Sequence, residues 1–138
     1  MIYTHPKRKT KVVFVQLGSP SEPTTKALRK YLRKFLGDPR VIDINPWLWK
    51  IILNCFVLPF RPQKSAKLYA RIWDGKSFPL ITNTRDFTKN VSDELKKIDP
   101  EGFVEVNHAF LLSPPYVNEV YDSWEEDLKK GVGATKLL

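Results

Sequence analysis

KVVFVQLGSPSEPTTKALRKYLRKFLGDP, residues 11–39, carries the two readings from which the fold follows. Its first seven residues form a short, nearly continuous apolar run ending in Gly18-Ser19-Pro20, the pattern of a strand buried on both faces by flanking helices. Pro23 and the Thr24-Thr25 pair then open a helix. Leu28, Tyr31, Leu32, Phe35 and Leu36 recur at helical spacing, the intervening lysines and arginines face outward, and Gly37, Asp38 and Pro39 stop it. A buried strand followed at once by an amphipathic helix is the start of a βαβ unit.

The alternation continues outward from that unit. RVIDI, residues 40–44, reads as a second short strand, and residues 63–73 as a helix through Ala66, Leu68, Tyr69 and Ile72. Residues 74–79 form a loop, and Phe87, Val91, Leu95 and Ile98 mark another amphipathic helix, closed by Asp99-Pro100. Residues 102–112 alternate and then run apolar, a third strand. Ser113-Pro114-Pro115 caps a helix with Val117, Val120, Tyr121, Trp124 and Leu128 on one side, and residues 135–138 open a fourth strand. This order predicts an α/β fold, a single three-layer Rossmann-like domain with a mostly parallel sheet. A chain of 138 residues can bury one ordinary core, so residues 11–138 are expected to form one domain behind a basic tail, residues 1–10.

PWLWKIILNCFVLPF, residues 46–60, fits no simple periodicity. Lys50 and Asn54 interrupt it, and it is shorter than the roughly 20 residues a helix needs to cross a bilayer. Three readings remain: a buried helix, a membrane-surface element, or the wall of a site for a flat apolar ligand. Pattern alone favours the core helix. Two tryptophans beside a lysine, with prolines at both ends, also suit a boundary between water and something apolar, so the reading as a lip stays open.

The net charge of +8 points to an acidic partner: nucleic acid, anionic lipid, or a ligand carrying carboxylates. Lys7, Arg8, Lys9 and Lys11, then Arg29, Lys30, Arg33 and Lys34, then Arg61, Lys64, Lys67 and Arg71 form its clusters. None is interleaved with base-stacking aromatics, which disfavours nucleic acid and leaves a solvated face as the default. The single cysteine, Cys55, excludes an internal disulfide and reads as a small buried hydrophobe in a reducing compartment. The N-terminus lacks the apolar core of a secretory signal, so a cytoplasmic protein is expected, with contact at the inner face of a membrane left open. Gly18 follows the first strand without the further glycines of a dinucleotide loop. His5 lies in the basic tail, His108 sits mid-strand as a core residue, and Glu125, Glu126 and Asp127 form a solvated helix end; no catalytic role is assigned to any of them, and no metal site is expected.

LGSP after the first strand, RKYLRKFLGDPRVIDI, the Trp-rich stretch, RPQKSAKLYARIWDGKSFPLI and the late DLKKGVGATKLL together resemble the N-terminal half of ferrochelatase, which inserts ferrous iron into protoporphyrin to make haem. The resemblance covers the chain from Lys11 onward. It implies a chelatase-type domain equivalent to one half of the enzyme, with a porphyrin cleft between two similar halves and residues 46–60 as a lip meeting the membrane. It further implies tetrapyrrole contacts from Leu17 and Gly18 at the strand end, from Trp47, Trp49, Ile52, Phe56 and Leu58 on the lip, from Arg61 to a propionate, and from Tyr69 in the pocket wall. Such residues suit a flat apolar macrocycle, whose burial is worth about 25 cal/mol per Å², and carboxylates that take guanidinium forks.

Departures accompany the matches. Ser77-Phe78-Pro79 stands where the family has Gly-Ser-Pro with its serine near a propionate, and Leu111-Leu112 stand in place of an Arg-Tyr pair. The family's catalytic histidine and its glutamate partner belong to the C-terminal half and have no counterpart here. The expected ligand is therefore haem or protoporphyrin, bound without metal insertion by the isolated chain, with ferrous iron only the family's substrate. The alternative is the N-terminal part of an active full-length ferrochelatase; a basic membrane- or nucleic-acid-associated protein of the same fold is the weaker one. An exposed lip and an unpaired strand edge also predict a homodimer in which two copies stand for the two halves.

Overall fold

The computed structural model describes residues 9–129. Residues 1–8, with His5, and the strand expected at 135–138 lie outside the described residues. Strands β1 (Thr10–Gln16) and β2 (Val104–Phe110) pair in parallel, from Thr10 opposite Val104 to Gln16 opposite Phe110. Parallel neighbours need a long crossover. Between them the chain forms α1 (Thr25–Leu36), α2 (Pro46–Ile52), a π-helical turn (Leu53–Val57), α3 (Leu58–Ala70) and α4 (Pro79–Ile98), and α5 (Val117–Lys129) follows β2. The result is an α/β arrangement on a parallel sheet, as the alternation predicts. The chain divides into two compact units, Leu17–Thr82 and the residues on either side of it.

In the unit that holds the strands, Val106, Ala109 and Phe110 are the buried residues of β2, and Phe14 meets Phe87 of α4 edge to face at 5.0 Å. Asp99 turns the chain from α4 into β2: its carboxylate accepts from the Val104 amide at 2.8 Å, and Gly102, at φ +72°, supplies the left-handed residue of the turn. Lys11 ties three elements together. Its ammonium lies 3.2 Å from Glu105 on β2 and 3.5 Å from Asp127 on α5, and 5.4 Å over the Trp124 ring. The sequence assigns the start of α5 to Ser113-Pro114-Pro115; just before the helix the Glu119 carboxylate accepts from the Tyr116 amide at 2.8 Å. The Pro115 carbonyl is engaged with the Phe110 amide, so the prolines extend the strand end before the helix starts.

In the other unit, Thr24 caps α1 as expected, its hydroxyl accepting from the Ala27 amide at 3.2 Å. Gly37 caps the helix end, its amide donating to the Arg33 carbonyl at 3.0 Å, and a Cβ there would stand 2.5 Å from that oxygen, which is why the position suits glycine. The strand expected at residues 40–44 does not form. Asp38 turns the chain instead, its side chain accepting from Arg40 and its carbonyl from Val41, and Val41 and Ile44 are left exposed. Only Ile42 packs inward. Between the Asp38 turn and Asn45, whose side chain caps α2 through the Trp47 amide, too few residues remain to build a ladder.

Candidate functional site

The apolar stretch is helical throughout and runs directly into α3, so the helix expected at residues 63–73 starts earlier, at Leu58, and ends at Ala70. Residues five apart on an α-helix point about 140° away from each other. Leu53 and Leu58 nevertheless both face the core, because the π-helical turn adds one residue between them, with the Leu58 amide bonded to the Leu53 carbonyl. The inward series is thus Trp49, Leu53, Leu58, Pro62 and Ala66, and it packs with Leu32, Phe35 and Leu36 of α1. The same extra residue keeps Ile51, Phe56 and Phe60 on a common outer side with Trp47 and Leu48. Trp47 is 80% exposed, Phe56 65% and Phe60 67%. The core reading holds for one side of the segment, and the other side is exposed.

Two bonds fasten this segment to α1. The Trp49 indole donates to the Leu36 carbonyl at 2.7 Å, satisfying an acceptor that the helix end leaves open. Pro62 has no N–H to give the Leu58 carbonyl one turn back, and Arg29 Nε supplies the missing donor at 3.2 Å.

A second cluster forms around Tyr31, in the middle of α1. Gly18, at φ +92°, turns the chain after β1, and its carbonyl accepts from the Tyr31 hydroxyl at 3.2 Å. The Tyr31 ring stacks on Phe35 at 6.2 Å and tilts against Tyr69 at 6.5 Å. Tyr69 meets Phe78 edge to face at 5.4 Å, and Phe78 packs on Trp73 at 4.6 Å. Burial, and then the charge and hydrogen bonding of Tyr69, push the Tyr31 phenol up to about 12, so it stays a neutral donor. Asp74 folds the following loop, its carboxylate accepting from the Lys76 and Ser77 amides at 2.7 and 2.6 Å. Those two bonds hold its pKa below the ordinary value.

The nine residues that the resemblance marks for tetrapyrrole contact, and Ser77, the candidate in place of the family's serine near a propionate, all lie in the unit Leu17–Thr82. Gly18, Tyr69 and the segment of Ser77 are joined through Tyr31 and Phe78. Trp47 and Phe56 face outward, Ile52 is half-buried, and Leu17 is partly exposed. Arg61 is exposed, and among the described residues its guanidinium has no partner. Trp49 and Leu58 are placed differently: Leu58 is 2% exposed and Trp49 is packed against its cluster, so both lie beneath the exposed side of the segment. Cys55, read as buried, is exposed, because it falls on the outer side of the π-helical turn. Residue patterns alone leave Tyr31 and Arg29 unmarked, one as an apolar helix position and the other as a solvated cation. The signal for Arg29 was Pro62, which orphans a carbonyl four residues earlier.

His108 belongs to the other unit, beside Phe110 at 5.7 Å; burial first, and then the charge of Arg85, lower its pKa. Among the described residues no group of three or more His, Cys, Asp or Glu side chains is placed to hold a metal ion.

The parallel α/β fold is consistent with a chelatase-type domain. The family model for Ferrochelatase matches residues 9–135. A ferrochelatase of Herminiimonas arsenicoxydans is 42% identical over 126 residues, 91% of this chain and 34% of the relative. One of Idiomarina loihiensis is 38% identical over 124 residues, 90% and 33% of the two chains. Coproporphyrin III ferrochelatase of Enterococcus faecalis is 40% identical over 116 residues, 84% and 35%. This chain belongs to the ferrochelatase family. It spans about a third of the length of the curated relatives it matches.

Proposed function

We propose that the chain binds a tetrapyrrole, haem or protoporphyrin, on the unit Leu17–Thr82, and that the 138-residue polypeptide does so without inserting metal. The observation that carries the proposal is an outer helical face of large apolar side chains, continued by the Arg61 guanidinium, which has no partner among the described residues. Trp47, Ile52 and Phe56 would cover the macrocycle, Arg61 and Ser77 would meet its carboxylates, and Leu17, Gly18 and Tyr69 would complete the wall, with Trp49 and Leu58 supporting the lip. Ferrous iron enters as the family's substrate; the histidine and glutamate that the resemblance requires for insertion match no residue here. The same apolar face is proposed to rest on the cytoplasmic surface of a membrane and to pair two copies of the chain, since a contiguous apolar patch of this kind is rarely left to water. No helix among the described residues is long and apolar enough to cross a membrane.

Haem titration should shift the Soret band, and Trp47→Ser with Phe56→Ser should weaken the shift at least tenfold without lowering the unfolding midpoint, because both side chains are exposed. An unshifted spectrum up to tens of micromolar would refute the proposal. Sedimentation of the same samples should report about twice the 16.1 kDa chain mass; a monomer with and without haem would remove the pairing. Zinc insertion followed by porphyrin fluorescence should show no turnover.

A further inference from the structure

Tyr31 touches two parts of the proposed tetrapyrrole wall which come from distant stretches of chain. Its hydroxyl donates to the carbonyl of Gly18, thirteen residues earlier, and its ring and hydroxyl lie against Tyr69, thirty-eight residues later. Gly18 sits at a φ of +92°, where the chain is free to settle in more than one conformation unless its peptide is tied down. Tyr69 is half-buried, and its ring is set from the other side by Phe78. Buried among these groups, the Tyr31 phenol has little freedom to choose other partners.

We propose that Tyr31 is a positioning residue for tetrapyrrole binding, whose hydroxyl fixes the Gly18 peptide and the Tyr69 phenol in the geometry that the ligand meets. The inference rests on the proposed function and adds to it a residue that does not itself face the ligand. The phenol, pushed up to about 12, remains protonated well beyond neutral pH, which keeps the donor available there.

Tyr31→Phe keeps the ring and its stacking on Phe35 but removes the hydroxyl, and loss of one such bond is worth about fivefold in affinity. Haem affinity should fall about fivefold in Tyr31→Phe, and much less when the same change is made in a Tyr69→Phe background. Equal losses in the two backgrounds would overturn the proposal, since a merely structural role would be additive. Tyrosine labelled with 13C at Cζ gives a readout that needs no ligand: the Tyr69 resonance should move in Tyr31→Phe, and an unmoved resonance also overturns it. If the unsubstituted chain fails to bind haem while Tyr69 does move, the proposed function falls and the positioning of the wall stands.

Discussion

Pro62 shows how one residue passes a demand to a distant one. By lacking an N–H it leaves the Leu58 carbonyl without its helical donor, and the side chain that answers is Arg29, which the sequence alone places among solvated cations. The dependence can be measured. Arg29→Met should cost about 1 kcal/mol in urea unfolding, the usual price of one satisfied acceptor. In a Pro62→Ala background, where residue 62 can donate to Leu58 again, the same change should cost less than about half as much. Equal costs in both backgrounds would mean that the Arg29 bond contributes through something other than the orphaned carbonyl.

At the scale of elements, the π-helical turn is what allows one segment to have a core side and an outer side although its sequence shows no clean period. Such turns act as one-residue insertions in an α-helix and recur at functional sites. Deleting Cys55, which is exposed, would return Leu53 and Leu58 to a spacing of four and preserve both sides; helical content should be unchanged and stability within about 1 kcal/mol of the parent. Inserting an alanine after Cys55 would swing Leu58 about 100° off the core and should cost about 2–5 kcal/mol, the range for emptying a buried leucine site. Circular dichroism and urea unfolding of the two variants separate these outcomes, and equal destabilisation would show that the turn does not set the register.

For the whole molecule, pH is the accessible variable. The folded state holds the His108 imidazole below its ordinary 6.5, by burial and then by Arg85, so folding favours the neutral ring. The unfolded chain therefore binds the proton more readily, and the stability concerned is complete above 6.5 and lost as pH falls through the lowered folded value. Thermal unfolding should shift downward between pH 7 and pH 5, and His108→Gln should flatten that slope. The exposed carboxylates Asp74 and Asp93, whose pKa values are also lowered, act only below the ordinary carboxylate range and leave this window clear. An identical slope in the His108→Gln variant would assign the effect to other groups.

The amino-acid sequence by itself determined the strand and helix at residues 11–37, the helix closed by Asp99, the strand that follows it and the family, because each rests on a local period, a cap or a run of matching residues. The strand expected at residues 40–44 failed for a reason that is also local but competitive: Asp38 and Asn45 claim the flanking amides, and three apolar residues cannot offset them. Tertiary structure alone decided which side of residues 46–60 faces the core, since that depends on where the extra residue of the π-helical turn falls. It also decided that Leu58 and Trp49 lie on the core side of this segment while Trp47 and Phe56 are exposed. Tyr31 and Arg29 gained their roles the same way, because the carbonyls they satisfy come from Gly18 and Leu58, brought to α1 only when the chain has folded, and no pattern in the helix itself records which of its polar atoms will find such a partner.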